Sequence, residues 1–167
     1  MSVRSAPDSA SVVLSAPAGA ISTLHMAGYS TTPLAKKLGI QPKSRIFVLR
    51  PPAGYRRLLD GLPEGVKFVR APSASTDVAH AFCTTKGELL TAVGRLRRVL
   101  SPDAVIWISW PKKSSGLPSE ITEDAVRDAA LPLGLVDVKV CAVDAVWSGL
   151  KLVVRKEFRS VGNVRAT

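Results

Sequence analysis

With 167 residues, of which 46% are hydrophobic and 22% charged, the chain is long enough for one buried core and too short for two ordinary domains. The composition excludes a disordered chain, and no apolar run reaches the roughly 20 residues that a membrane-spanning helix needs. The formal net charge of +10 suggests a nucleic acid or a phosphorylated ligand as a partner. The Lys/Arg doublets lie far apart, however, which favours basic residues spread over a soluble surface, so nucleic-acid binding is not the favoured interpretation.

The first 25 residues differ in composition from the rest of the chain. They are rich in Ser and Ala, and Pro7, Asp8 and Pro17 interrupt the pattern of a secretory signal. We predict a disordered extension over residues 1–25, one α/β domain over 26–158 and a flexible basic tail over 159–167. Met26 is an alternative start. The two cysteines lie in apolar runs typical of reduced, buried thiols, so we expect a cytoplasmic protein.

The first half of the domain is predicted to contain two short helices and three strands. Thr32 caps the first helix and Gly39 ends it, whereas the second helix begins at Gly54 and ends at Gly61. The link over 70–76 contains no helix, although a parallel crossover usually needs a dozen or more residues. Either the second strand is vestigial or an extended loop makes the crossing. The elements are a helix over 33–38, a strand over 45–50, a helix from 54, and strands over 66–70 and 77–83.

The second half begins with the longest predicted helix, which Thr84 and Thr85 cap. Its predicted inner face consists of Leu89, Leu90, Val93, Leu96, Val99 and Leu100. A further helix opens with the acidic residues Glu123 and Asp124, which its dipole favours there. The elements are a helix over 86–100, a strand over 104–110, a loop over 111–118, a helix from 122 to about 132, and strands over 135–143 and 150–155 joined by a hairpin link over 144–149.

This alternation of strands and helices predicts the fold class. Strands that alternate with helices form a parallel sheet covered on both faces, and a terminal hairpin adds an antiparallel strand. We therefore predict a three-layer, Rossmann-like α/β domain with a mostly parallel sheet of about six strands, ending in an antiparallel hairpin.

Five stretches of sequence carry a family resemblance: Ala27–Ser30, Leu34–Ile40, Ser109–Lys113, Gly134–Val140 and Trp147–Lys151. On these stretches the chain resembles a bacterial domain-of-unknown-function family, the one numbered three-zero-five-two, from Met26 to about Phe158. The resemblance implies that Met26 lies where such proteins start, and it implies no substrate, cofactor or catalytic residue. The order of elements also resembles a shortened class I methyltransferase fold.

The turn after the first strand argues against the cofactor of that fold. A methyltransferase-like site would use a glycine-rich turn there to hold adenosylmethionine. The turn over 50–55 has the single glycine Gly54, and Pro51 and Pro52 remove two backbone donors. No acidic residue follows the next strand to hold a ribose. We therefore expect no cofactor, and in particular no adenosylmethionine.

The carboxyl ends of the strands are the predicted ligand site, because ligands of open parallel sheets bind there. Helix N-termini near Gly54 and Thr85 would add free amides and partial positive charge. This arrangement predicts an anionic ligand, such as a phosphate or a nucleotide. The alternative is that Lys112 and Lys113 are a solvated loop pair and that Trp110 packs inward. The predicted ligand-binding residues are Arg50, Gly54, Tyr55, Thr84, Ser109, Trp110, Lys112, Lys113 and Ser114.

Two further candidates lie near the end of the chain. Trp147 and Lys151 could bring an aromatic platform and a cation to a ligand or to a base. The alternative is a hairpin turn that needs Gly149, with Trp147 covering the sheet edge.

The other reactive residues suggest no catalytic or metal site. His80 and Cys83 are three residues apart on a strand and face opposite ways, so His80 is expected to be a hydrogen-bonded core residue. The spacing of the cysteines argues against zinc. The carboxylates Glu120, Glu123, Asp124 and Asp128 are predicted to share one solvated helix.

Three functions remain open at this point. The first is a non-catalytic binding or regulatory domain that takes an anionic ligand. The alternatives are a divergent transferase or methyltransferase, and a nucleic-acid-associated protein. No membrane partner is expected, and the sequence is silent on oligomeric state.

Overall fold

Strands and helices alternate through residues 31–159, the part of the chain that the computed structural model describes. The predicted extension over 1–25 and the tail beyond residue 159 lie outside the described residues. The elements all belong to one compact unit that begins at Pro33. They are helix α1 (Leu34–Lys37), strand β1 (Arg45–Leu49), helix α2 (Tyr55–Leu58), strands β2 (Lys67–Val69) and β3 (Val78–Phe82), helix α3 (Lys86–Val99), strand β4 (Val105–Pro111), a 3-10 turn (Lys113–Ser115), helix α4 (Glu123–Ala130), a second 3-10 turn (Leu131–Leu133), and strands β5 (Leu135–Ala142) and β6 (Trp147–Val154).

The six strands form one mixed sheet in the order β2-β1-β3-β4-β6-β5. Strands β2, β1, β3 and β4 run parallel to one another, whereas β6 is antiparallel to both β4 and β5. The closing hairpin therefore folds back so that β6 pairs with β4 and β5 becomes the edge. The predicted fold class, a mostly parallel sheet that ends in an antiparallel hairpin, is confirmed.

Helices cover both faces of the sheet, because side chains alternate between the faces along each buried strand. On one face, α3 and α4 pack through residues such as Leu89, Val93 and Val126 against a core that includes Ile108. On the other face, α1 and α2 pack against a core that includes Trp107, through Leu34, Leu38, Tyr55 and Leu59. The three layers follow from this division.

The crossing from β2 to β3 uses an extended loop, one of the two predicted solutions. Strand β2 has three residues, and residues 70–77 contain no helix. The loop ends on β1, where Asp77 accepts a hydrogen bond from the amide of Arg45 at 2.8 Å and donates its own amide to the carbonyl of Arg45. Strand β2 is thus a short outer strand, and the loop leads directly from it to β3.

Two helix details differ from the sequence prediction. Pro33, not Thr32, is the N-cap of α1, and no side chain caps that end. In α3, Leu90 is 60% exposed and Ala92 is buried instead. The buried residues of α3 are Leu89, Ala92, Val93 and Leu96. Successive helical residues are about 100° apart around the axis, so Leu90 faces solvent.

The hairpin link is shorter than predicted, and Gly149 lies inside β6. The Asp144 carboxylate closes the link by accepting hydrogen bonds from the amides of Val146 and Trp147, both at 2.8 Å. A Cβ atom at Gly149 would lie 3.1 Å from Ser109 Oγ and 3.3 Å from the Trp107 ring. Gly149 therefore serves close packing against β4 and not a turn, because a Cβ atom here would make its neighbours shift by a few tenths of an ångström.

No helix within residues 31–159 combines the length and the apolar character needed to cross a lipid bilayer.

Candidate functional site

The carboxyl ends of β1, β3 and β4 meet at one edge of the sheet, because the three strands are parallel neighbours. Arg50 follows β1, Thr84 follows β3 and Lys112 follows β4. One strand separates β1 from β4, so their ends are about 10 Å apart. The structure thus brings the predicted cations Arg50 and Lys112 to the same edge.

A groove of about 400 Å³ opens at this edge beside β1 and β2. Its wall includes Phe68, and the Arg56 guanidinium lies 3.5 Å from the centre of that ring. Gly54 adopts a left-handed conformation with φ of 79°, which lets the loop after β1 turn into α2. We call this the β1–β2 groove. Its lining consists of Val48, Pro51, Pro52, Gly54, Tyr55, Arg56, Arg57, Phe68 and Val69.

A second groove of about 400 Å³ lies at the ends of β3 and β4. The side chains of Pro111, Leu117 and Trp147 make it mainly apolar, and hydroxyl groups of Thr84 and Thr85 border it. We call this the β3–β4 groove. Its lining consists of Thr84, Thr85, Pro111, Leu117, Pro118, Ser119, Glu120 and Trp147.

Arg50 links the ends of β1 and β3. Its Nε donates to the carbonyl of Phe82 at 3.2 Å and lies 3.4 Å from Glu88 Oε2, and its Nη2 lies 3.8 Å from the Cys83 sulfur. The φ angle of Arg50 is 53°, an unfavourable value for arginine that these contacts offset. Burial raises the pKa of the Cys83 thiol, with Arg50 opposing the effect, so the thiol is not an activated nucleophile.

Glu88 orders the start of α3, where the β3–β4 groove begins. Its Oε1 accepts hydrogen bonds from the amides of Thr84 and Thr85 at 2.9 and 3.2 Å, and Thr85 Oγ1 accepts from the Glu88 amide at 3.1 Å. This reciprocal arrangement is a capping box. The amide of Thr84, above all, lowers the pKa of the Glu88 carboxyl. The carboxylate therefore stabilises the fold when it is ionised.

Replacing Glu88 should loosen this corner measurably. We expect Glu88→Ala to lower the free energy of unfolding by about 1–2 kcal/mol, because the amides of Thr84 and Thr85 and the Thr84 hydroxyl lose their acceptor. Glu88→Gln should lose less, since the amide oxygen still accepts. Because the folded-state pKa is depressed, the difference from wild type should shrink as the pH falls below the ordinary glutamate range. Urea unfolding measures this, with the exposed Thr91→Ala as control, and an equal effect of Glu88→Ala and Thr91→Ala would contradict it.

A buried hydrogen-bonded chain runs beneath the edge from α2 to β4. Tyr55 Oη lies 2.8 Å from His80 Nδ1, and His80 Nε2 lies 2.7 Å from Ser109 Oγ. Burial lowers the pKa of His80 to about 3 and raises the pKa of Tyr55, so both are neutral at physiological pH. The prediction that His80 is a hydrogen-bonded core residue is confirmed. Cys83 lies on the opposite face, also as predicted.

The remaining predicted residues occupy different positions. Ser109 and Trp110 are 0% and 7% exposed on opposite faces of β4, so neither presents a surface to a ligand. Lys112 is tied to the hairpin, with its amide donating to Val146 and its Nζ donating to the Asp144 carbonyl at 2.8 Å. Lys113 and Ser114 are exposed on the 3-10 turn, outside the lining of both grooves.

Of the two further candidates, Trp147 lies at the edge and Lys151 does not. The Trp147 ring packs edge-on against Phe82, with centroids 5.0 Å apart, and lines the β3–β4 groove. Lys151 follows four residues later in β6, about 13 Å along the strand, opposite Trp107.

The sequence prediction missed several groove residues. Phe68 was visible as an aromatic residue near the end of the second strand, which is the position that carries it to the edge. Leu117 and Glu120 belong to a loop whose path the sequence does not determine. Glu120 lies before α4, not on it, and accepts a hydrogen bond from the Lys86 amide at 2.9 Å. Within residues 31–159, no group of three or more His, Cys, Asp and Glu side chains could hold a metal ion.

Sequence comparison adds no relative. No family model matches the chain, and no curated protein matches it. The resemblance to the domain-of-unknown-function family therefore stays a prediction.

Several solved structures share the fold at low sequence identity. A SAM-dependent methyltransferase from Aquifex aeolicus superposes with a TM-score of 0.59 and 16% identity, covering 78% of this chain and 92% of that one. A proposed type 11 methyltransferase from Sulfolobus solfataricus gives a TM-score of 0.53 and 13% identity over 74% of this chain and 90% of its own. The PH0226 protein from Pyrococcus horikoshii OT3 gives a TM-score of 0.51 and 12% identity, covering 74% of this chain and 87% of that one.

These neighbours overturn the expectation about the cofactor. We predicted no cofactor, and in particular no adenosylmethionine. That prediction is wrong, because the fold matches a SAM-dependent methyltransferase over 92% of that protein. The prediction depended on the glycine content of one turn. Two prolines remove two amides from that turn, yet a groove lies beside it at the carboxyl edge of the sheet. The protein has a methyltransferase-like, shortened Rossmann scaffold.

Proposed function

We propose that this protein binds adenosylmethionine at the carboxyl edge of its sheet and is a divergent methyltransferase. The observation that carries the proposal is the pair of grooves at that edge, one beside β1 and β2 and the other at the ends of β3 and β4. A transfer reaction needs two binding sites that open side by side, so that donor and acceptor are held in contact. The methyltransferase-like scaffold supports the same assignment.

The β1–β2 groove fits adenosylmethionine in size and in two of its chemical contacts. Its volume of about 400 Å³ lies within the usual range for small-molecule sites. The Phe68 ring would stack against the adenine in place of the Arg56 guanidinium, and Arg57 would hold the carboxylate. One contact differs, because Val69 and Arg70 stand where an acidic residue would hold the ribose hydroxyls. We expect weaker binding for that reason.

The β3–β4 groove would hold the methyl acceptor. Bound adenosylmethionine supplies an activated methyl group, and the protein contributes positioning and exclusion of water. The apolar surfaces of Pro111, Leu117 and Trp147 suit those tasks. His80 and Ser109 are fully buried, so neither serves as a proton acceptor for the substrate.

A second candidate function is ligand binding without transfer. The observation that favours it is the basic lining of the β1–β2 groove, where Arg56 and Arg57 are exposed and no carboxylate takes part. An anionic ligand such as a nucleotide would bind through the same guanidinium groups.

Calorimetric titration with adenosylmethionine and with adenosylhomocysteine tests the first proposal. We expect binding in the micromolar range, weakened about 10- to 100-fold by Phe68→Ala, since stacking of a base on an aromatic ring contributes roughly 1–3 kcal/mol. Phe158→Ala, which removes a ring that is 43% exposed at the far end of the chain, is the matched control and should leave binding unchanged. Absence of binding to both ligands, or equal binding by Phe68→Ala, would refute the proposal. Binding of nucleotides alone would favour the second candidate.

A further inference from the structure

Three lysines from separate elements lie together near Cys141. Lys139 of β5 and Lys151 of β6 are direct cross-strand partners, and Lys37 of α1 donates from its Nζ to the Ala142 carbonyl at 3.4 Å. Both Lys37 and Lys139 act on the Cys141 thiol, lowering its pKa against the larger effect of burial, which raises it. We call Lys37, Lys139 and Lys151 the lysine cluster.

The cluster is unfavourable for the isolated protein. Directly opposed residues on an antiparallel pair have Cβ atoms about 5 Å apart, and like charges at that separation destabilise the sheet. None of the ion pairs found within residues 31–159 involves a lysine of the cluster. Those ion pairs join Arg50 to Glu88, and Arg127 to Glu123, Asp124 and Asp137. A binding partner of opposite charge would account for three cations that have no ion-pair partner within residues 31–159.

The positive charge continues across the same face of the sheet. Helices α1 and α2 both pack on this face, and they expose Lys36, Arg56 and Arg57. From β1, beneath α2, to the outer strand β5 there are four strand spacings, or about 19 Å. That distance exceeds the reach of one phosphate group and corresponds to about six base pairs of a duplex.

We propose that this face binds the phosphate backbone of a nucleic acid, with the lysine cluster at its β5–β6 end. The net charge of +10 would draw a polyanion to the surface and hold it without base contacts. A lipid surface fits less well, because the exposed Val140, next to Lys139 in β5, points to the opposite face and would not insert. The inference does not depend on the adenosylmethionine site, because none of the three cluster lysines lines either groove.

Fluorescence anisotropy with a labelled RNA hairpin, titrated with salt from about 50 mM, tests the proposal. The triple variant Lys37→Gln/Lys139→Gln/Lys151→Gln should bind about tenfold more weakly or worse at low salt. The slope of its log affinity against log salt concentration should be smaller in magnitude by about 2–3. Each phosphate that is no longer neutralised reduces this slope by about 0.7–0.9. Thermal unfolding should show an equal or slightly higher Tm, since the like-charge pair is relieved.

The control variant removes three positive charges from α3, on the other face of the sheet. It is Lys86→Gln/Arg95→Gln/Arg98→Gln, and it should keep most of the RNA affinity and of the salt dependence. Equal losses in the two triple variants would overturn the proposal, because net charge alone would then explain binding. Absence of binding by the wild-type protein, or binding to anionic phosphatidylserine vesicles without binding to RNA, would overturn it as well. An adenosylmethionine titration of the cluster variant should match wild type, which separates this inference from the proposed function.

Discussion

Lowering the pH from 7 to 5 is expected to destabilise the fold by about 2 kcal/mol through His80 alone. Burial holds the pKa of His80 at about 3 in the folded state, against about 6.5 in the unfolded chain. The unfolded state therefore takes up a proton in this range and the folded state does not. The contribution is fully present above about pH 6.5 and is lost progressively as the pH falls towards 3, at about 1.4 kcal/mol for each pH unit.

Urea unfolding between pH 5 and 7 measures this effect, in a range where most carboxylates stay ionised. His80→Gln should be less stable than wild type at pH 7, because Tyr55 and Ser109 lose a shared partner, and its stability should be nearly independent of pH in this range. His25→Gln removes the other histidine and is the matched control, expected to keep the wild-type slope. If His25→Gln abolishes the dependence of stability on pH and His80→Gln retains it, the assignment of this effect to His80 is wrong.

Trp107→Ala is expected to cost about 3–5 kcal/mol of unfolding free energy, the largest effect of any single change considered for the core. The side chain is fully buried beneath α1, and its Nε1 donates to the Leu38 carbonyl at 3.0 Å. Removing it leaves a cavity and an unpaired carbonyl at the end of the helix. For a domain of this size, such a loss approaches the total stability.

Trp107→Phe separates the two contributions. It keeps most of the apolar volume and removes the hydrogen bond, so we expect it to cost less than Trp107→Ala, about 1–3 kcal/mol. Chemical denaturation monitored by circular dichroism compares both variants with Trp147→Ala, whose ring is only half-buried at the edge. A loss below about 1 kcal/mol for Trp107→Ala would show that α1 is not held by this residue.

Local sequence signals were sufficient to predict the three layers of the fold and the shared carboxyl edge of the parallel strands. The apolar run over 77–83 and the alternation of helices with strands predicted a buried parallel sheet. Thr85 and Glu88 have the spacing of a capping box, so the start of α3 could be predicted within one residue. Once the strands are parallel, Arg50, Thr84 and Lys112 must lie at the same edge, since each follows a carboxyl end.

Features that depend on contacts between distant strands could not be predicted. Gly149 resembles a turn glycine until β6 is placed beside Ser109 and Trp107, where a Cβ atom would be tightly packed. The pairing of Lys139 with Lys151 depends on a register shift between Asp137 and Lys139, and a slip of one residue would turn Lys139 to the other face. Phe68 likewise becomes part of a groove only when the three-residue β2 pairs with β1.

The most direct test of the central claim is the mapping of adenosylmethionine binding by amide chemical shifts. We expect the largest shifts at the carboxyl edge beside the β1–β2 groove, at the amides of Ala53, Gly54 and Tyr55 in the loop after β1 and at Phe68 and Val69 in β2. Shifts confined to the outer surface of α3 and α4, or a spectrum unchanged by excess ligand, would contradict it.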